Sequence, residues 1–436
     1  MATDVDVQYF SHLNGLVLGN NWGDLIRLLD KALVTGIDFT QITAASIDAQ
    51  GDVSITLFAA HNAMLFQVVE LSGFTPNTLN QKYRIKGVPN TTQLILKPAL
   101  DITERSITTM GTGKLASLGY DIIFRDANDV KRVYRAKKPL AQHPFIRVDE
   151  SLTSPDGTSG VYAETYAKYA VVGLLEHMNH IDDFENPDVL QLPYIPSIPN
   201  YNWRITGTNT AVVRGWSRWY WARGWDMNIS GGNGDVDAPT GNNRRFTIVG
   251  GGDAFYFIRS HLPGSYKKTV SGCGLYDNSI PNDVIPNWYL CSCLEATNAS
   301  ANTGFYNRAG ATPVSNGGEI TSVTNPGVIL VPKYTPTSKL STHTYAQGIA
   351  PNYKSGGSSP LYNGSIGGVS ALNIPIYAAT DKILLGTLKH ICYAGDNLSA
   401  IYATTPKLTG SSMYVAECSL NGGSDGGFYY YLGELE

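Results

Sequence analysis

The sequence predicts a mostly β, multi-domain protein built from antiparallel β-sandwich or barrel modules, with one amphipathic helix near its N-terminus. Three observations predict it. Turn formers (45 Gly and 22 Pro) are spread along all 436 residues rather than gathered in one linker. Charged residues make up only 16%, against about 25% in an ordinary soluble domain, so polarity comes instead from Ser, Thr, Asn and Gly. Short apolar/polar alternations, helped by 26 Tyr, recur between the turn formers, as short strands joined by many loops require. A hydrophobic share of 43% is enough for two or three domains to bury cores of their own.

The helix comes first. Asn20 or Asn21 can cap it, Trp22, Leu25, Ile26, Leu29, Ala32 and Leu33 recur at helical spacing, and Gly36 stops it. Its apolar stripe needs a sheet to cover. That sheet is predicted by Val53, Ile55 and Leu57 alternating with Ser54 and Thr56, and by residues 66–70. Tyr83 and Ile85 alternating with Lys82, Arg84 and Lys86, and residues 93–97, add to it. Together these form a first domain, 1–100. In a second, 101–185, strands at 120–124 and 131–135 flank a turn and make a hairpin, with further strands at 145–149 and 169–174. The composition shifts at NPDVLQLPYIPSIPN, where four prolines mark a boundary. The third domain, 186–436, holds a hairpin from 245–249 and 254–259 and strands at 288–294, 327–332, 383–390, 412–417 and 427–432. Residues 300–318 and 334–368 read as long loops, of the kind that neighbouring subunits order.

The net charge of −4 gives no footing to nucleic acid or an anionic membrane. No run of 18 apolar residues offers a spanning helix. The acidic opening MATDVDVQYF lacks the pattern of a secretory signal, so cytoplasmic synthesis is expected. Five cysteines, Cys273, Cys291, Cys293, Cys392 and Cys418, are an odd number and point to free, buried thiols. Cys291 and Cys293 alternate on one strand face, and no second cluster completes a zinc site.

Four segments could carry chemistry or binding. Gly250-Gly251-Gly252-Asp253 follows a strand, but a phosphate-cradling loop needs a helix next, and AFYFIRSH is strand-like, so a hairpin turn is expected. Glu176, His177, His180, Asp182 and Asp183 crowd possible metal ligands into EHMNHIDD. They lack the HExxH order and leave a strand for a loop, so an exposed polar turn is expected and no metal. Lys131, Arg132, Arg135, Lys137 and Lys138 read as a solvated strand face, or as a contact for an acidic neighbour. Trp203, Trp216, Trp219, Trp221 and Trp225, five of the seven tryptophans, lie among Arg214, Arg218 and Arg223. Such a stretch reads first as a Trp-lined core, then as a subunit interface, then as a surface for glycan stacking, and Trp219 and Trp221 share a face of any strand there. Nucleophilic motifs are absent and no cofactor is expected. Paired carboxylates for glycoside cleavage arise from folding rather than spacing, so that chemistry stays open.

Several segments together resemble a family of tail-associated virion proteins of tailed bacteriophages. In YFSHLNGLVLGNNWGDLIRLLDKALVTGID the residues Leu25, Ile26, Leu28, Leu29, Asp30, Leu33, Val34 and Gly36 match the family's opening helix. The following segment is similar to a phage β module through His61, Val68, Val69, Gly73, Leu79, Asn80, Tyr83, Ile85 and residues 92–96. FIRVDES and RRFTIVGGGDAFYFIRS match more loosely, and the Trp/Arg stretch departs from the pattern. The resemblance implies a non-enzymatic virion structural protein of the tail, at baseplate or collar, assembling in several copies with itself and other virion proteins. The alternatives are a receptor-binding or glycan-degrading tail tip or spike, and a head decoration protein.

Overall fold

The computed structural model describes residues 3–154, 157, 160–184, 186, 188–194, 205–208, 213–214, 217–224, 238–266, 268–279, 286–292, 294–296, 305–307, 329–333, 343–348, 365–366, 369–370, 372–378, 383–395, 401–421 and 424–435. No helix among them is long and apolar enough to cross a membrane. The fold is β-rich, as predicted: three large antiparallel sheets, with a helix near the N-terminus.

The seven-stranded N-terminal sheet runs in the order Ile37–Asp38, Thr112–Leu115, Val68–Ser72, Lys82–Asn90, Gln93–Pro98, Val53–Leu57, Ile42–Ile47. The alternation read from the sequence holds here, because Val53, Ile55 and Leu57 point into the core while Ser54 stays outside. Strand Ile42–Ile47 had no sequence signal, since its outward positions, Thr43, Ala44 and Ser46, include no charged residue and do not alternate strictly with its apolar ones. The eight-stranded middle sheet is built on Tyr120–Arg125, Lys131–Ala136, Phe145–Asp149 and Lys168–Leu175, continued by Ser217–Ala222. The large sheet of thirteen strands starts at Gln8–Ser11 and passes through Phe246–Gly250 and Ala254–Arg259, which form the expected hairpin. It ends at Leu384–Gly395, Ser424–Glu434, Ser412–Asn421 and Thr405–Thr409. Sheet membership therefore crosses positions 100 and 186. Within the stretches read as loops lie strands Phe305–Asn307, His343–Gly348 and Ser365–Ile366, while the other residues of both stretches fall outside the described ones.

One core links the three sheets: Leu25, Ile26, Leu29 and Leu33 of the helix pack with Val53 and Leu96, and onward to Trp219, Phe255 and Trp288. Each of these four helix side chains is fully buried, which contributes about 1.5–3 kcal/mol apiece. The helix, Asp24–Leu29, is followed by a wider π turn, Asp30–Thr35, in which Gly36 N–H reaches Lys31 O at 2.8 Å. Gly36 has φ +74, and a Cβ there would sit 2.1 Å from Leu115 O. The N-cap position is Gly23, not Asn20 or Asn21. Its cap comes from far along the chain: the buried Glu150 carboxylate accepts from Gly23 N–H and from Ile26 N–H at 2.8 Å. A negative charge there also suits the helix dipole.

Arginine is used as a core residue. Arg84, placed by alternation on the outer face, is instead fully buried. Its guanidinium donates to the carbonyls of Asp4, Val7, Phe66 and Leu432, joining the N-terminal segment, the first sheet and the last strand of the chain. Burial lowers its pKa to about 10, against the raising pull of Tyr9, Asp4 and Asp6. Arg132 departs from the solvated basic face read from the sequence, of which Lys137 and Lys138 are exposed. It too is buried, and it pairs with Asp30 and Asp129.

Candidate functional site

The tryptophan and arginine candidates are only partly placed. Trp203, Trp216, Trp225 and the side chain of Arg214 lie outside the described residues. Trp219 and Trp221 share one strand face, as expected, but both are fully buried. Trp219 meets Phe255 edge-on with centroids 6.0 Å apart, and Trp221 meets Trp22 at 5.8 Å. These two positions are core, the first of the three readings of the stretch. Arg218 and Arg223 are buried as well, their guanidinium groups 4.6 Å from the Tyr169 ring and 4.3 Å from the Tyr220 ring.

The EHMNHIDD segment is spent on local structure. His177 bonds Asn179, His180 Nδ1 accepts from Asp182 N–H, and Asp183 accepts from Asn179 N–H. Asp182 pairs with Lys131 and Arg147, each at 2.8 Å. Burial works against its charge, but these two cations hold its carboxyl below the ordinary range. No group of three or more ligand side chains that could hold a metal exists among the described residues. Cys273, Cys291, Cys392 and Cys418 are buried thiols outside any disulfide, while Cys293 lies outside the described residues.

The Gly-rich turn does organise a polar site, through its aspartate. Asp253 accepts from His143 Nε2 at 2.9 Å and from Lys389 Nζ at 2.5 Å, and Lys389 also lies 3.6 Å from Asp277. His143 Nδ1 accepts from Leu140 N–H at 2.7 Å, so the Nε2 proton points at Asp253. The His143 hydrogen bond, and then Lys389, hold the Asp253 carboxyl well below the usual carboxylate range despite partial burial. The network ties the middle sheet to the large one.

Lys389 belongs to a bulge. In the ladder between Leu372–Ala378 and Leu384–Gly395 the partners change from Asn373 with Cys392 to Pro375 with Thr387. Ile374 alone thus faces residues 388–391. On one side of the bulge Thr387 pairs with Asp277, and on the other Ile391 pairs with Tyr430. The turn of chain is taken at His390, a non-glycine residue at φ +63. Such a conformation costs about 1–3 kcal/mol and persists only where the surroundings impose it. Tyr256 contributes to that constraint by donating its hydroxyl to Lys389 O at 2.8 Å.

The bulge forms one wall of a groove of about 540 Å³. Asn373, Tyr414, Tyr431 and Glu434 line it with Lys389 and His390. Tyr414 and Tyr431 lie ring to ring at 5.4 Å. Glu434 accepts from the hydroxyls of Ser411, Ser412 and Tyr431 at 2.5–2.6 Å. These donors outweigh its burial and hold its pKa down. Burial, reinforced by Lys389, lowers His390 to about 4, so the ring is neutral in ordinary conditions. None of these groove residues was singled out from the sequence. Their only traces were the predicted strands 383–390, 412–417 and 427–432, which hold Lys389, His390, Tyr414 and Tyr431 but mark no bulge.

Scans against known protein families and against curated proteins return no match to this chain.

Proposed function

We propose that the chain is a structural component of a tailed-bacteriophage particle, placed in the tail at baseplate or collar. It works there by protein–protein contact rather than by chemistry. The observation that carries this reading is the unit formed by the segments that resemble the tail-associated family. The helix residues Leu25, Ile26, Leu29 and Leu33 close over the sheet that contains Val68, Val69, Tyr83 and Ile85. The sheet edges support it. Tyr120–Arg125 and Thr405–Thr409 each end a sheet among the described residues and carry a solvent-facing apolar side chain, Ile123 at 40% and Leu408 at 50% exposure. Open edges of this kind take up strands from other chains. Mass spectrometry of purified particles, with sedimentation of the isolated chain, tests the proposal. A strictly monomeric protein absent from particles would refute it. A second reading, a tail-tip protein that engages a host glycan, is favoured by the groove beside His390.

A further inference from the structure

The groove's charges are internally matched, while three of its neutral polar groups, on His390, Asn373 and Thr387, keep hydrogen-bonding capacity. Lys389 is compensated by Asp253 and Asp277. Glu434 is satisfied by three hydroxyls. An anion would meet two carboxylates and no uncommitted cation, and a cation would have to displace bonds already made. What stays available is the half-buried His390 ring, which makes no hydrogen bond among the described residues, together with the exposed Asn373 amide and the Thr387 hydroxyl. Asn373 Oδ1 already accepts from the Cys392 thiol at 3.3 Å, so its amide N–H₂ is the free end. Tyr431, partly exposed and fixed through its hydroxyl by Glu434, adds an aromatic face to these donors and acceptors. Neutral hydrogen-bonding groups beside a fixed aromatic ring match a ligand with many hydroxyls and apolar ring faces.

We propose that this groove is a binding site for a neutral saccharide. His390 and Asn373 hydrogen-bond the sugar hydroxyls, and Tyr431 packs against a ring face. The bulge is the device that builds it. A regular strand would send residue 390 to one face of the sheet, whereas the left-handed turn sets the imidazole on the groove wall. The inference rests on the second reading above, and it is independent of the first.

The test uses the full chain on an array of neutral glucan, mannan, galactan and N-acetylglucosamine oligomers, with uronate and sialylated sugars alongside, followed by titration calorimetry on the best neutral binder. His390→Asn keeps a residue that tolerates positive φ, and Asn373→Ala alters an exposed side chain, so both variants are expected to melt with the wild type. Each is expected to weaken binding at least about tenfold. Retention of a neutral saccharide that both variants bind as well as wild type would overturn the groove while leaving the glycan reading standing. Retention of only charged sugars would overturn the ligand class, and retention of none would overturn both.

Discussion

Lys268 and Glu417 form an ion pair with both side chains about 1% exposed, across the two halves of the large sheet. The second Glu417 oxygen takes the Thr247 hydroxyl, which meets Thr404, and Thr404 meets Ser11 on the first strand. Lys268→Met would remove the cation and leave a buried carboxylate with one remaining donor. Breaking a buried pair in this way costs about 3–5 kcal/mol, much more than the pair itself contributes relative to apolar residues of similar size. At about 2.1 cal/mol/K of unfolding entropy per residue, that becomes a fall of roughly 3–5 °C in Tm. The double variant Lys268→Met/Glu417→Leu should regain most of the loss, because no charge is left buried. Scanning calorimetry of wild type, both single variants and the double variant supplies the cycle. If Lys268→Met costs less than about 1 kcal/mol, or if the double variant loses the sum of the two single losses, the pair is not energetically coupled and the reasoning fails.

Three further outcomes are expected. Glu150→Ala should cost about 1–2 kcal/mol in urea unfolding, since it strips the cap from the Asp24–Leu29 helix, whereas Asn20→Ala and Asn21→Ala should cost less. Asp253 has a folded pKa below its unfolded value of roughly 3.9, so its stabilisation is complete above that pH and is lost as pH falls toward the folded value. Wild-type Tm should therefore drop between about pH 4.5 and pH 3 more steeply than that of Asp253→Asn, and equal slopes would count against the His143–Asp253–Lys389 network. Zinc or nickel at millimolar concentration should leave Tm unchanged, because His177, His180, Asp182 and Asp183 are already engaged; a rise of several degrees that His177→Ala removes would contradict this.

The parts of the fold that were legible in the sequence are those governed by local rules. Val53, Ile55 and Leu57 carry period-two alternation, and Gly250–Gly252 between two apolar runs makes a hairpin wherever it is placed. The helix was legible in its stripe and at Gly36, but its cap was not, because Glu150 lies over a hundred residues away. Alternation failed at Arg84 and Arg132. Both were assigned to the solvent side by residue type, yet both are buried, Arg84 against carbonyls and Arg132 against carboxylates that only the fold supplies. The groove was illegible for a related reason. It depends on a bulge that brings His390 beside residues of other strands, and no spacing rule connects Asn373, His390 and Glu434. The tryptophan run was conspicuous in composition, but density of Trp does not tell a core from a surface, and Trp219 and Trp221 proved to be core.

Strand Gln8–Ser11 also sets a schedule for biosynthesis. Its partner is Phe246–Gly250, and His12 bonds Phe246 O across 234 residues of chain. A ribosome adding about 5–20 residues per second delivers that partner roughly 10–50 s after the strand itself. For that interval Tyr9 and Phe10, fully buried in the finished molecule, have nothing on the large sheet to cover them. Slower elongation lengthens that interval and is expected to raise the fraction lost to aggregation.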